Sequence, residues 1–424
     1  MPGDSKVAHL RTQLGRRMRQ IRELVAKEGP KGITDRVRRV TSEWIAPAEG
    51  ILPVRREDVM AADLLRPYEA PVPTALAGQP LVANWVTTPG GPGSGGHTTL
   101  FRLIRYLESH GYVNRVYFYD VYGADLSYYE SFVRNYYRFQ GTVASLDQGM
   151  DDANIVVATS WPTAYPVYNA RCAGKRFYLV QDFEPYFYPA GSIAMLAEST
   201  YRMGFHGLSI GECYAKKLTS EYGMTVETFK YGCDISQYRA SHGPRSGVVF
   251  YARRETARRG IELGLMALEI FASRNPGVPI HIYGDKMGKR KFPFTDHGHV
   301  SPAQLNEIYN QCCAGLTLSF TNVSLVALEM LAAGCIPVVN DTIEVRTDLN
   351  NPFVRYTPAY PIALAEQLEA VTLEPDFAAL SQAAATSVQS ITWDEAGASI
   401  DAILRRALQQ SAEPARIIDA HTAS

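Results

Sequence analysis

Short apolar runs alternate with longer amphipathic segments along most of this chain. Apolar runs bounded by glycine, proline or polar residues predict strands, and the amphipathic segments predict helices. Because helix-length segments separate most of the runs, the pattern favours parallel strands with helices on both faces of a sheet. In the first half of the chain the predicted strands are Leu81–Thr87, Arg115–Val121, Ile155–Thr159, Phe177–Val180 and Leu208–Ile210.

The alternation restarts after Ser241–Ser246, a polar stretch with glycine and proline that is typical of a linker. We therefore predict two doubly wound α/β domains, over residues 81–240 and 247–390. A C-terminal helix over residues 391–412 is expected to pack back on the first domain. The second series of predicted elements comprises strands Val248–Ala252, Ile280–Tyr283, Leu316–Phe320 and Ile336–Val339, with helices at Pro302–Cys312 and Ser324–Ala333.

The first 80 residues form an extension with a different pattern. Residues 1–40 contain eleven Lys/Arg and four Asp/Glu, and apolar residues recur there at helical spacing. A basic amphipathic helix of this kind can lie on an anionic membrane through residues 8–40, or it can pack on its own protein with a solvated basic face. Residues 41–80 are rich in proline and are expected to run across a domain surface.

Composition limits the class of protein. The 424 residues carry a formal net charge of −1, so the chain as a whole does not resemble a nucleic-acid binder. No apolar run approaches the roughly 18–20 residues that span a bilayer, and the N-terminus lacks the apolar core of a signal peptide. Six cysteines without a C-x-x-C pair are typical of reduced thiols. We expect a cytoplasmic protein, with peripheral contact to the inner face of the membrane if the basic helix binds lipid.

A glycine loop follows the first predicted strand. Its Gly91-x-Gly93-x-x-Gly96 spacing, together with Asp120 at the end of the next strand, fits the dinucleotide fingerprint. An NAD(P)- or flavin-dependent oxidoreductase is therefore an alternative function for this chain. The loop residues are expected to bring backbone amides close to an anion, although a structural turn would use the same glycines. The candidate phosphate or acceptor loop comprises Gly93, Ser94, Gly95, Gly96 and His97.

Two carboxylates, Asp182 and Glu184, follow the predicted strand Phe177–Val180. A D-x-E pair can bridge a divalent metal to a diphosphate, or the two side chains can point to opposite sides with one facing a cleft. We favour the second interpretation, and we expect Asp182 at the carboxyl end of a parallel strand, where such folds bind ligands. His297 and His299 lack metal-ligand partners at suitable spacing and are assigned to a loop.

Four arginines lie between the first strand and first helix of the second domain. Cations are unfavourable at a helix N-terminus, so an anionic ligand such as a diphosphate would explain them, with Arg253 and Arg259 brought together by the loop. The later helix Ser324–Ala333 opens at Asn322 or Ser324 and carries one acid, Glu329. Its N-terminus could hold a diphosphate, or the helix could be a packing element with one exposed acid.

These motifs together resemble retaining, nucleotide-sugar-dependent glycosyltransferases of the GT-B fold, family 4. The family's G-R-x5-K-G element appears as Ala252-Arg253-x5-Arg259-Gly260, and its E-x7-E element as Thr321-x7-Glu329. Residues 231–238 resemble the family's hinge. Residues 300–309 resemble the segment that precedes the family's donor-binding helix, which corresponds to Ser324–Ala333 in this chain. The run from Tyr178 to Pro189 is most similar to WsaF-like rhamnosyltransferases of surface-glycan assembly.

The resemblance implies two Rossmann-like domains that face a cleft, and a front-face displacement without metal or other cofactor. The partners would be a nucleoside-diphosphate sugar such as dTDP-rhamnose and a glycan or lipid-linked glycan acceptor. Asp182 would lie near the reacting sugar, whereas Thr321 replaces an acid and Gln181 a common histidine. A non-catalytic sugar-binding relative is the remaining alternative. The implied donor-binding residues are Arg253, Arg259, Tyr283, Gly284, Thr321, Asn322, Ser324, Leu325 and Glu329, of which Arg253, Arg259 and Glu329 are, with Asp182, the candidate catalytic residues.

Overall fold

The computed structural model describes residues 52–67, 69–73, 79–91, 94–123, 125–254, 256–322 and 325–412. The predicted basic helix over residues 8–40 lies outside these ranges, and its contact with a membrane stays a prediction. Among the described helices, none combines the length and the apolar character that a bilayer span requires. Both sheets belong to one unit of the chain, which begins at Val54.

The first sheet has seven strands in the order β3-β2-β1-β4-β5-β6-β7, and every neighbouring pair is parallel. Strands β1, β4 and β5 lie at its centre, where the apolar runs are buried on both faces as in other parallel sheets. The strands are β1 (Val82–Thr87), β2 (Val113–Phe118), β3 (Thr142–Ser145), β4 (Ile155–Ala158), β5 (Lys175–Val180), β6 (His206–Ile210) and β7 (Val226–Phe229). The helices are α1 (Arg56–Ala61), α2 (Gly95–Ser109), α3 (Leu126–Tyr137), α4 (Trp161–Asn169), α5 (Ser192–Ser199) and α6 (Glu212–Tyr222).

The second sheet has six parallel strands in the order β10-β9-β8-β11-β12-β13, the strand order of a dinucleotide-binding Rossmann sheet. The prediction of two doubly wound parallel sheets is therefore confirmed. Its strands are β8 (Gly247–Ala252), β9 (Ile280–Gly284), β10 (Thr295–Gly298), β11 (Cys312–Leu316), β12 (Ile336–Asn340) and β13 (Arg355–Thr357). Its helices are α7 (Ile261–Arg274), α8 (Pro302–Gln311), α9 (Leu325–Ala332), α10 (Ile343–Leu349), α11 (Pro361–Thr372) and α12 (Phe377–Thr386).

The two ends of the described chain both pack on the first domain. The last helix, α13 (Trp393–Ala412), buries Ile400, Ile403 and Leu404 in the core beneath the first sheet. The segment that begins at Val54 also contacts this domain, since the Gly174 amide donates to the Pro71 carbonyl oxygen at 2.8 Å. The first domain is therefore contacted both by the segment that begins at Val54 and by helix α13, which follows the second domain in the chain.

The predicted strand Leu316–Phe320 is displaced, because the central strand β11 begins at Cys312 and ends at Leu316. Small residues give this strand a weak signal in the sequence. A Cβ on Gly315 would lie 2.4 Å from Met330 Sδ, so the Met330 side chain of helix α9 packs on the backbone of Gly315. The predicted helix Pro302–Cys312 correspondingly ends at Gln311. Strands β3, β7, β10 and β13 were not predicted, since each is a short sheet edge with exposed or half-buried positions.

Candidate functional site

The two domains meet where strand ends of one sheet face loops of the other. Asp182 lies two residues after β5, and Thr321 lies in the loop between β11 and α9. Thr321 Oγ1 donates to Asp182 Oδ2 at 2.8 Å, and Asn322 Nδ2 donates to the Gln181 carbonyl oxygen at 2.9 Å. Tyr214 Oη from the first domain also donates to the Thr321 carbonyl oxygen at 2.6 Å. The cleft is therefore closed at this point by direct hydrogen bonds.

Asp182 is a buried carboxylate that the second domain stabilises. Its side chain accepts from the Phe183 amide at 2.8 Å in addition to Thr321, and Arg258 Nε lies 3.6 Å from Oδ2. Burial raises the pKa of Asp182 to about 6, against the lowering effects of Arg258 and of the Thr321 hydrogen bond. At neutral pH the group is mostly ionised, because a cation and a hydroxyl from the other domain compensate its charge.

Glu184 occupies a different environment from Asp182. Its Oε2 accepts from the Trp161 amide at 2.7 Å, at the first residue of α4, and its side chain is buried. Burial raises the pKa of Glu184 to about 8, so it is largely protonated at pH 7. Asp182 thus contacts the second domain, whereas Glu184 contacts the interior of the first. In the described part of the chain, no group of three or more His, Cys, Asp or Glu side chains is placed to hold a metal ion.

The loop after β8, which carries Arg253, Arg254, Arg258 and Arg259 and is called the arginine loop, supplies the cations of the site. A 3-10 turn, Ala257–Arg259, places the Arg258 guanidinium beside Asp182 and lets Arg259 Nη1 donate to Ser319 Oγ at 2.8 Å. Arg253 is half-buried one residue after β8. The spacing of the family's G-R-x5-K-G element predicted Arg253 and Arg259 as site residues, but it did not predict Arg258. The signal for Arg258 was the unexplained cluster of four arginines, of which Arg254 instead donates to the Met287 carbonyl oxygen at 2.8 Å.

The remaining predicted donor residues are placed as follows. Helix α9 begins at Leu325, and Ser324 lies outside the described residues. Glu329 is half-buried, and burial raises its pKa to about 8 while a hydrogen bond with Tyr309 opposes the rise. The Tyr283 side chain is buried with its hydroxyl 2.6 Å from that of Tyr309, so only its backbone could contact a ligand.

Gly284 ends β9 with a positive φ of +105°. A Cβ at this position would lie 2.1 Å from the Ala252 carbonyl oxygen. The glycine therefore lets the end of β9 approach the end of β8, immediately before the arginine loop. The next residue fixes that approach, because the Asp285 amide donates to the same oxygen at 2.8 Å.

The glycine loop before α2 is organised by His97, while Gly93 lies outside the described residues. His97 Nε2 lies 2.8 Å from the Thr88 carbonyl oxygen, so it carries the proton, and Nδ1 accepts from Ser94 Oγ at 2.8 Å. Burial lowers the pKa of His97, which favours this neutral form. A Cβ on Gly90 would lie 2.3 Å from the imidazole ring. His97 therefore holds the loop, and Gly95 and Gly96 stay exposed at the start of the helix.

The loop also reaches the Asp182 segment, since Gln181 Nε2 donates to the Gly96 carbonyl oxygen at 3.3 Å. Asp120, the acid that an oxidoreductase would use for ribose, has both carboxylate oxygens engaged. Oδ1 accepts from the Tyr122 amide at 2.8 Å, and Oδ2 accepts from Tyr129 Oη at 3.1 Å. The structure thus brings the glycine loop, Asp182 and the arginine loop toward one cleft, whereas the Asp120 carboxylate accepts from Tyr122 and Tyr129.

A second contact between the domains lies at the start of α6. The Asp348 carboxylate in α10 accepts from the Glu212 and Cys213 amides at 2.7 and 3.3 Å, and so caps a helix of the other domain. Gly211 has a positive φ of +79°, and a Cβ there would lie 2.3 Å from the Asp348 carboxyl carbon. The close approach of the two domains therefore depends on glycine at this position.

We expect Gly211→Ala to push the domains apart and to weaken binding of any ligand that needs both. Gly223→Ala is the matched control, because Gly223 ends the same helix with φ +66° but a Cβ there would have no neighbouring atom within 4 Å. Backbone strain should cost Gly223→Ala, in the left-handed helical region, about 1 kcal/mol, and Gly211→Ala, at φ +79° and ψ 173°, about 2–3 kcal/mol. Only Gly211→Ala should increase the radius of gyration in small-angle scattering. Equal radii of gyration for the two variants would contradict a closed arrangement held at Asp348.

Comparison with known proteins gives a consistent result. Residues 246–369 match the family described as the C-terminal domain of WsaF. The O-antigen biosynthesis protein RfbC of Myxococcus xanthus is 31% identical over 284 residues, which cover 64% of this chain and 22% of RfbC. The chain therefore spans about a fifth of the length of that relative.

Two solved structures illustrate the likeness in fold. The Anabaena protein Alr3699/HepE, in complex with UDP and glucose, superposes with a TM-score of 0.59 at 14% identity, over 78% of this chain and 100% of HepE. WaaG, a glycosyltransferase involved in lipopolysaccharide biosynthesis, gives 0.54 at 13% identity, over 76% and 99% of the two chains. At these identities the likeness shows the fold alone. The chain has the GT-B fold of glycosyltransferases, and its second domain is similar to the C-terminal domain of WsaF.

Proposed function

We propose that this chain is a glycosyltransferase that moves a sugar from a nucleoside diphosphate to a growing surface glycan. The observation that carries the proposal is the closed cleft between the two Rossmann-like sheets, where the buried Asp182 carboxylate lies beside the arginine loop. Such a cleft supplies both charges that sugar transfer develops. Arginines stabilise the departing diphosphate, and a carboxylate stabilises positive charge on the sugar ring.

The donor would lie on the second domain. Arg253 and Arg259 would bind the diphosphate together with the first amides of α9 near Leu325, because fixed cations and a helix N-terminus both favour phosphate oxygens. Glu329 and Asn322 would contact ribose or sugar hydroxyls. Asn322 Oδ1 supports this role, since within the described residues it is a buried acceptor without a hydrogen-bond donor.

The acceptor would enter from the first domain, past the glycine loop at Gly95 and Gly96. The leaving diphosphate would accept the acceptor proton, so that attack and departure share one face of the sugar and the configuration is retained. No metal or other cofactor is needed in this scheme, because the arginine loop supplies the positive charge. We infer dTDP-rhamnose as the donor from the resemblance of residues 178–189 to WsaF-like rhamnosyltransferases, and a lipid-linked surface glycan as the acceptor from the similarity to RfbC, which is described as an O-antigen biosynthesis protein.

A nucleotide screen tests the proposal. We expect dTDP, and to a smaller extent UDP or GDP, to raise the melting temperature of the protein, because these ligands bind the folded state alone. NAD(P) should leave it unchanged, since Asp120 already uses its carboxylate oxygens locally. Stabilisation by NAD(P) alone would contradict the proposal and would indicate an oxidoreductase. Binding of nucleotide sugars without turnover, in assays with released diphosphate and NMR of the product linkage, would indicate a non-catalytic sugar-binding protein.

A further inference from the structure

Arg258 belongs to the second domain but its side chain lies among residues of the first. The guanidinium carbon is 4.0 Å from the ring centroid of Phe187. Phe187 ends the 3-10 turn Glu184–Phe187, which begins two residues after Asp182. A guanidinium held over an aromatic face keeps its plane fixed. Arg258 is therefore the cation that crosses between the domains at this part of the cleft.

The same side chain reaches the Asp182 carboxylate. Arg258 Nε lies 3.6 Å from Asp182 Oδ2, and the two side chains are 28% and 5% exposed, so the pair is largely shielded from water. Within the described residues Arg258 Nε is buried without a hydrogen-bond acceptor. Its charge is therefore compensated by Asp182 through an ion pair just beyond hydrogen-bonding distance.

Arg258 and Thr321 approach the carboxylate as one assembly. The Phe320 amide donates to the Arg258 carbonyl oxygen at 3.0 Å, which ties the arginine loop to the residue before Thr321. Gly260 permits this junction, because a Cβ there would lie 2.7 Å from the Phe320 ring. A cation and a hydroxyl from one linked part of the second domain thus meet a single carboxylate of the first.

We propose that Arg258 is a positioning residue, which holds the Asp182 carboxylate in place across the cleft through its contacts with Phe187 and Asp182. The part that Asp182 plays in sugar transfer rests on the proposed function. The contact between Arg258 and Asp182 does not rest on it, so the two can be tested separately.

The charged and titratable groups around Asp182 come from several elements. Arg258 and Arg259 lower its pKa, Arg258 more strongly, while burial raises it to about 6 from the ordinary 3.8. Among the residues that the structure describes, Glu184, Tyr201, Tyr214 and Tyr231 also interact with it. Because the folded protein holds the Asp182 proton more tightly than the unfolded chain, the ionised form destabilises the fold. The stability that Asp182→Asn gains should therefore grow as pH rises from about 4 to about 6 and then level off.

The test measures this gain by urea denaturation across pH in four backgrounds: wild type, Arg258→Met, Arg258→Lys and Arg254→Met. Without the Arg258 charge, the pH at which the gain levels off should move upward by about one unit, the usual effect of a cation within 4–6 Å on the pKa of a carboxyl. Arg258→Lys should restore most of the wild-type curve. Arg254→Met is the matched control from the same loop and should leave the curve in place. A curve in Arg258→Met that matches wild type would overturn the positioning role.

Transfer rates against pH supply the second readout. In Arg258→Met the acidic limb of kcat should move to higher pH together with the stability curve, whereas a merely structural defect would lower the rate equally at every pH. If the stability curve moves but no nucleotide sugar is turned over by the wild-type protein, the proposed function fails and the positioning role stands. If transfer occurs and neither the stability curve nor the acidic limb moves, the positioning role fails and the proposed function stands.

Discussion

Asp182→Asn is expected to lower kcat for sugar transfer by about 100-fold or more at pH 7.5, the usual cost of removing a preorganised charge from a reaction centre. The substitution keeps the shape of the side chain. The asparagine Oδ1 can still accept from the Phe183 amide, and the Thr321 hydroxyl, which then faces the asparagine Nδ2, can accept from it. What it removes is the negative charge that would face the sugar ring as positive charge develops there. Initial rates with a nucleotide sugar, together with circular dichroism of the variant, measure the effect.

Glu184→Gln is the matched control for this substitution, because Glu184 is an equally buried carboxyl two residues further along the chain. Its raised pKa of about 8 means that the native group is mostly neutral at pH 7, so glutamine replaces it without loss of charge. Gln Oε1 can also accept from the Trp161 amide. We expect Glu184→Gln to retain a near wild-type rate. An Asp182→Asn variant that is as active as this control would remove Asp182 from the mechanism.

The stability of Asp182→Asn relative to the wild-type protein should also rise as pH increases from about 4 to about 6. A carboxylate whose pKa is raised on folding costs stability once it is ionised, and asparagine carries no such cost. Retention of a destabilising charge is typical of functional sites, where activity and stability are optimised against each other. A loss of activity with a gain of stability would therefore separate a role in the reaction from a role in the fold.

The fold was predictable because its determinants are local in the sequence. Buried central strands of a parallel sheet appear as continuous apolar runs such as Ile155–Ala158, and the helix-length segments between them impose parallel pairing. The misplaced strand β11 shows the limit of this reasoning. Cys312 to Gly315 are all small, and at Gly315 the Met330 side chain of helix α9 occupies the space that a Cβ would need. Small residues carry little strand signal.

The candidate site was predictable only in part, because its contacts join distant parts of the chain. Asp182 and Thr321 are 139 positions apart, and no local pattern shows that their side chains share a hydrogen bond. The family motif shows that Thr321 replaces an acid. It does not show that a carboxylate of the other domain lies beside the Thr321 hydroxyl. The role of Arg258 could not be predicted from the sequence for a related reason, because its partners Phe187 and Asp182 lie in the first domain.

The cross-domain contacts also explain why several site residues are glycine. Gly211, Gly260 and Gly284 all have positive φ, and at each of them a Cβ would overlap a neighbouring residue. The first approaches Asp348 across the domain boundary, the second lets the arginine loop meet Phe320, and the third brings the ends of β8 and β9 together. A sequence shows that these residues are glycine, but the contact that requires each of them exists only in the folded chain.

Arg259→Met is expected to weaken binding of the donor nucleotide and to lower kcat/KM by about 100-fold or more, because a fixed cation at a departing diphosphate acts mainly in the transition state. Arg259 Nη1 donates to Ser319 Oγ, which orients the guanidinium and leaves its other N–H groups for a ligand. Ser319→Ala keeps the charge and removes only the orienting hydroxyl, so its loss should be much smaller. Arg259→Lys should fall between the two, since an ammonium group keeps the charge but not the fork geometry.

Nucleotide affinities determine whether Arg259 acts on the diphosphate itself. We expect Arg259→Met to weaken binding of a nucleoside diphosphate strongly and that of the corresponding monophosphate little, because the second phosphate carries the contact. Arg254→Met should bind both like the wild type, since the Arg254 guanidinium donates to the Met287 carbonyl oxygen in the segment between β9 and β10. Isothermal titration of the two nucleotides against each variant gives this comparison directly. Equal losses for both nucleotides in Arg259→Met would place Arg259 at the first phosphate or at the base, and the departing charge would then have to be stabilised by Arg253 and the amides of α9.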